Sequence, residues 1–289
     1  MQKETYMKHN PQHALVITYS QTGQTTLFGR LIAAIWKARG LSTDTADFRD
    51  FDVSTLSSYD LIMAGTPVFY WDVPSNVIER LSAAPRLDGT PVASFVTYGG
   101  EGGNQHNTAV RLLTLLSGRG GLPVGTETFG GISTFAPTWS MGNERRTLTY
   151  RHRPDTETYD RVRRYADLTL SRAREGTTTQ YGKEFFLMDF LRGRPSVAFN
   201  KLLTGRHTIN GDTCTGCGVC EKGCPVGAID IDANTVDRTR CISCLGCVNN
   251  CAAGAIDMTF MGKKVYGFRE FKKRHGIRTI PPAELKRKQ

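Results

Sequence analysis

The 289-residue chain has no cysteine before Cys214 and none after Cys251, which excludes a disulfide framework spread through the fold. No apolar run approaches the roughly 18 residues of a membrane span. The N-terminus MQKETYMKHNPQHALVITYS lacks a signal-peptide core and cleavage site, so a cytoplasmic chain with no transmembrane segment is expected. Neither GxGxxG nor Gly-Lys-Ser/Thr follows the first strand-like segment, which excludes the dinucleotide fingerprint and the Walker loop. The six histidines are scattered, with no metal spacing and no nucleophile beside them. Acidic residues are also short, 27 against 37 Lys and Arg, for a formal charge of +10. A surplus of that size points to an anionic partner: nucleic acid, a membrane surface or an acidic protein.

Residues 14 to 175 alternate short apolar runs with amphipathic stretches. The runs are ALVITY (14–19), a weaker TDTADF (43–48), DLIMAG (60–65), VASFVTY (92–98) and VGTETF (124–129). That alternation predicts an α/β domain, a doubly wound five-stranded parallel sheet, whose ligands bind at the carboxyl ends of the strands. After the first strand come Ser20, Gln21, Thr22, Gly23, Gln24 and Thr25, then a helical stretch. Hydroxyls, a permissive glycine and free amides at a helix start make a phosphate cradle. Without a lysine it suits a terminal monophosphate better than a triphosphate. A polar turn with a helix cap is the plainer reading of this hexapeptide alone. Two further loops on the same edge tilt the balance towards a flat ligand: Thr66, Pro67, Val68, Phe69, Tyr70 and Trp71 after the third strand, and Thr97, Tyr98, Gly99 and Gly100 after the fourth.

The cysteines form a repeat. CTGCGVCEKGCPVGAIDID starts at Cys214 and CISCLGCVNNCAAGAIDMT at Cys241, so each cysteine and the Gly-Ala-Ile-Asp after it recurs 27 residues on. Two copies of one cluster-binding unit explain this best. A pair of zinc sites would show paired C-x2-C units without the third cysteine.

These motifs carry two resemblances. SQTGQT, TPVFYW and TYGG are similar to the phosphate loop and the two flavin-flanking loops of flavodoxins, over about residues 14 to 175. C-x2-C-x2-C-x3-C-P at 214 to 225 resembles the bacterial ferredoxin run. Taken whole, the chain resembles the fused flavodoxin-ferredoxin family of anaerobic electron carriers. The resemblance implies a flavodoxin-like domain over 1–175, a linker or docking segment over 176–206, a small α+β two-cluster ferredoxin-like domain over 207–260 and a basic tail over 261–289. It implies FMN on Ser20 to Thr25, Thr66 to Trp71 and Thr97 to Gly100. It also implies two [4Fe-4S] clusters with crossed ligands: Cys214, Cys217, Cys220 and Cys251 on the first, Cys241, Cys244, Cys247 and Cys224 on the second. Which of Phe69, Tyr70 and Trp71 stacks on the flavin is open.

The second copy carries Ala252 where the first has Pro225, a difference in turn rigidity more than in ligation. Two stretches depart from a short flavodoxin. Residues 131 to 160, with Arg145, Arg146, Arg151 and Arg153, form a long connection that suits a flavin lid, a partner dock or a solvated insertion. Residues 183 to 207 mix apolar and basic groups; docking of one module on the other is favoured over adhesion to a membrane.

By region the charge is +5 over 1–206, −3 over 207–260 and +8 over 261–289. The surplus therefore resides mostly in the tail. With no recognition element beside it, nucleic acid is not an expected partner, and the tail reads as a strap or a docking surface for an acidic redox protein. The expected function is soluble electron transfer between the clusters and FMN, linking a low-potential donor to an acceptor reductase. The alternative is an FMN-dependent oxidoreductase for a small molecule or quinone, wired by the clusters, with Glu101 as a possible proton donor.

Overall fold

A computed structural model describes residues 10–100, 104–185 and 196–286; Glu101 and most of the apolar part of the 183–207 stretch lie outside them. Five strands form the first sheet: β1 (His13–Thr18), β2 (Ser42–Asp47), β3 (Leu61–Pro67), β4 (Pro91–Gly99) and β5 (Leu122–Gly131). Their order is β2-β1-β3-β4-β5 and every pairing is parallel. This is the doubly wound order of flavodoxin-like sheets.

The apolar runs read as strands because both faces of the sheet are covered. Ala14 and Val16 of β1 enter a core with α1 (Gln24–Ala38) and α6 (Thr156–Glu175), while Leu15 and Ile17 enter the opposite core with α2 (Ser75–Ser82) and α3 (Gln105–Ser117). β2 pairs with β1 alone and buries only Thr43 fully, which is why its sequence signal is weak.

The second half is small and mixed. After α7 (Val197–Leu203), β6 (Thr204–Ile209) pairs antiparallel with β9 (Ile256–Phe260), which pairs with β10 (Lys263–Lys264). β7 (Ile229–Asp230) and β8 (Thr235–Val236) form a second ladder. Each cysteine run ends its first turn in a short helix, α8 (Val219–Lys222) or α9 (Gly246–Asn250).

Residues 131 to 160 join the halves. They form α4 (Pro137–Ser140) and α5 (Glu144–Leu148), and Ile132, Ala136 and Trp139 share one core with Ile209, Ile229, Val248, Ile256 and Phe271. Trp139 is 1% exposed, stacks on Phe271 at 4.5 Å between ring centres and donates its indole N–H to the Tyr266 carbonyl at 2.8 Å. The stretch is thus an internal dock and not a solvated insertion: its apolar side chains find their partners in the other half.

The basic segment after 260 is built into the fold by the same logic. Val265, Phe268 and Phe271, the last two on α10 (Phe268–Arg274), are buried, and the charges of Lys272, Lys273 and Arg274 lie in the last turn. Beyond it the chain returns to the first half, where the Tyr159 hydroxyl donates to the Ile280 carbonyl at 2.7 Å. Arg163 pairs with Glu284 at 2.6 Å, on α11 (Ala283–Lys286). Gly267 lets the start of α10 pack closely on α9: a Cβ there would stand 1.8 Å from the Val248 carbonyl oxygen. Gly267→Ala is expected to cost about 1–3 kcal/mol by overpacking, measurable as a lowered midpoint of thermal unfolding of the loaded protein.

Candidate functional site

The carboxyl ends of β1, β3 and β4 open onto a cavity of about 490 Å³, within the size range of cofactor sites. Its wall contains Ser20, Gln21, Thr22, Gln24 and Thr25 from the first loop, Pro67 to Trp71 from the second and Thr97 to Gly100 from the third. The three stretches are therefore brought together. Of the candidates, Gly23 is exposed and Thr66 is buried, and neither lines the cavity.

Gly23 has φ +90 and precedes α1 directly. Its N–H reaches the Ser20 hydroxyl at 3.1 Å, and the turn leaves the first amides of α1 without helical partners, a cradle for an anion. Thr25 and Thr97 join the first and third loops through their hydroxyls at 2.8 Å. The Thr66 hydroxyl is buried without a hydrogen-bond partner.

The second loop is a two-residue hairpin. Phe69 and Asp72 exchange backbone hydrogen bonds at 2.9 Å in both directions, with Tyr70 at φ +50 and Trp71 at φ +63. Such a turn ordinarily uses Asn-Gly, and each bulky residue there costs on the order of 1–3 kcal/mol. Contacts on every side hold it. Arg111 pairs with Asp72 at 2.7 Å, Asn104 donates to the Trp71 carbonyl at 2.9 Å, and the Tyr70 hydroxyl donates to the Ser243 carbonyl at 2.6 Å.

That last bond crosses to the cysteine half, and so does the cavity. Ser243, Cys244 and Leu245 line it, with Phe260, Phe199 and Asn200; Ser133, Thr134, Phe135 and Arg146 of the 131–160 stretch complete it. The 131–160 stretch has a flavin lid among its expected readings, whereas the residues of the cysteine half and of α7 carry no such signal, because they lie on other segments. The aromatic residues in a loop, Phe135 and Trp139, were the available signal. Asn250 donates to the Gln21 carbonyl at 2.8 Å and Asn249 to the Thr134 carbonyl at 2.9 Å, seating α9 on the phosphate-type loop.

The cysteines fall into two groups. Cys214, Cys217, Cys220 and Cys251 line one small cavity, with Ile209, Ile231 and Ile256 around them. Cys224, Cys241, Cys244 and Cys247 lie close enough to act on one another electrostatically. Cys251 thus lies with the first run and Cys224 with the second. Among the described residues, no three His, Cys, Asp or Glu side chains gather as a single-ion site.

Burial pushes the Cys244 thiol up to about 11 and the Cys247 thiol well above its ordinary range. Four neighbouring thiolates in such a place require a cationic group among them, so the donor set fits an iron-sulfur cluster. Cys217 is different: it is exposed, and the Val219 N–H lowers its pKa.

Comparison with known proteins bears on each half separately. Residues 206–265 match the family described as 4Fe-4S dicluster domain. A flavodoxin of Megasphaera elsdenii is 31% identical over 87 residues, covering 29% of this chain and 64% of that protein. The chain thus spans under two thirds of the curated relative's length. Among solved structures, the flavodoxin of Streptococcus pneumonia TIGR4 has TM-score 0.45 and 14% identity, covering 55% of this chain and 99% of that one. Flavodoxin 1 of Bacillus cereus has TM-score 0.42 and 17% identity, covering 55% and 97%. The chain joins a flavodoxin-like domain to a 4Fe-4S dicluster domain. Among the described residues no helix is long and apolar enough to cross a membrane.

Proposed function

We propose that this chain is an electron-transfer protein carrying FMN and two [4Fe-4S] clusters. The observation that supports it most is the common wall: Tyr70, of the second flavin-type loop, and Cys244, of the cysteine repeat, line one cavity. When bound, FMN exchanges one or two electrons and each cluster exchanges one, so their union converts single-electron flow into paired flow.

In this reading Ser20 to Thr25 hold the phosphate on the amides of α1. Pro67 to Trp71 and Thr97 to Gly100 flank the ring. Cys214, Cys217, Cys220 and Cys251 hold the outer cluster, beside the exposed Val219. Cys224, Cys241, Cys244 and Cys247 hold the cluster nearer the flavin. Electrons come from a low-potential protein donor with an acidic face, complementary to Lys272, Lys273 and Arg274.

Anaerobic reconstitution should give about eight iron and one FMN per chain; zinc in place of iron, or no flavin, would sink this reading. Photoreduction followed by reoxidation separates carrier from oxidoreductase. A carrier turns over with redox proteins alone, whereas multiple turnovers with one small molecule or quinone would favour the enzyme.

A further inference from the structure

The two cysteine groups arise from one repeat, but their surroundings differ. Part of the hydrogen bonding is duplicated: the Ala228 N–H reaches Cys224 Sγ at 3.2 Å, and its counterpart Ala255 N–H reaches Cys251 Sγ at 3.2 Å. These donors act alike on both groups. The side-chain donors do not.

His207, buried on β6, places Nε2 3.3 Å from Cys247 Sγ. Its repeat counterpart, 27 residues on, is Asn234, which turns in a left-handed conformation beside Gly211. The Tyr19 side chain, buried at the end of β1, lies close enough to the Cys244 sulfur to act on it from the flavodoxin-like half. In the other group Cys217, with Thr215 nearby, is exposed, and water competes there.

We propose that His207 and Tyr19 are positioning residues that raise the reduction potential of the flavin-facing cluster above that of its repeat-related twin, so that electrons entering beside Cys217 run inward. This rests on the two-cluster reading above. Reduction adds negative charge to the iron and its thiolates, and an N–H or O–H donor to sulfur stabilises the reduced form more. Lys201 and Arg238 act on Cys241 in the same direction. Burial alone opposes them, since it disfavours added charge; the donors and cations outweigh it in this proposal. In the step itself one electron leaves the reduced outer cluster, supplied by a low-potential one-electron reductant, and enters the oxidised inner one. No bond forms or breaks.

The test is a redox titration of the reconstituted protein followed by electron paramagnetic resonance. Two distinct midpoints are expected. Tyr19→Phe, which removes one oxygen, and His207→Leu should each lower the higher midpoint towards the lower, while His207→Asn, which retains a donor, should restore part of the shift. Coincident midpoints in the parent protein, movement of the lower midpoint, equal movement of both, or none in Tyr19→Phe would overturn the proposal. Iron and flavin content is measured on the same samples. A parent protein without about eight iron and one FMN refutes the underlying reading instead, and a His207→Leu variant that fails to load leaves Tyr19→Phe to decide.

Discussion

Trp139→Ala should cost about 3–5 kcal/mol and separate the two redox halves. Trp139 is the largest buried side chain of the 131–160 stretch, and its contacts with Phe268, Phe271 and Tyr266 all lie in the other half. The loss combines a cavity in a shared core with an orphaned Tyr266 carbonyl. Neither the five-stranded sheet nor the cysteine ligands are touched, so FMN and iron content should survive in the cold. Stopped-flow reduction would then show the clusters filling normally and the flavin lagging, together with a lower unfolding midpoint. A variant that unfolds lower but transfers at the parent rate would show that the common core is structural only.

The second large effect concerns the crossed ligands. Cys224 follows Cys220 closely in sequence, yet it lies with Cys241, Cys244 and Cys247, while Cys251 lines the cavity of Cys214, Cys217 and Cys220. Cys224→Ser should therefore reproduce the spectrum of Cys241→Ser rather than that of Cys220→Ser, and Cys251→Ser should match Cys214→Ser. Each variant should fall from about eight to about four iron per chain, because one cubane is lost with its twin intact. Pairing by sequence neighbourhood would be indicated if Cys224→Ser matched Cys220→Ser.

Much of this architecture is written locally. The five strands announce themselves because a sheet covered on both faces needs continuous apolar runs, and observed strand ends lie within two residues of those expected. The phosphate-type loop, the aromatic turn and the cysteine repeat are each confined to a few consecutive residues. What was not legible depends on distant partners. Trp139 and Tyr266 are 127 positions apart, and nothing in either segment names the other. Phe199, Asn200 and Leu245 line the flavin-type cavity only because α9 docks on Gln21. The basic segment misled in one respect: charge dominates its composition, whereas Phe268 and Phe271, three positions apart on one helical face, decide where it packs.

The common wall also dictates a sequence of events at birth. The flavodoxin-like half is complete with α6 at Glu175, well before Tyr266, Phe268 and Phe271 have been synthesised, and until then Trp139 lacks its aromatic partners.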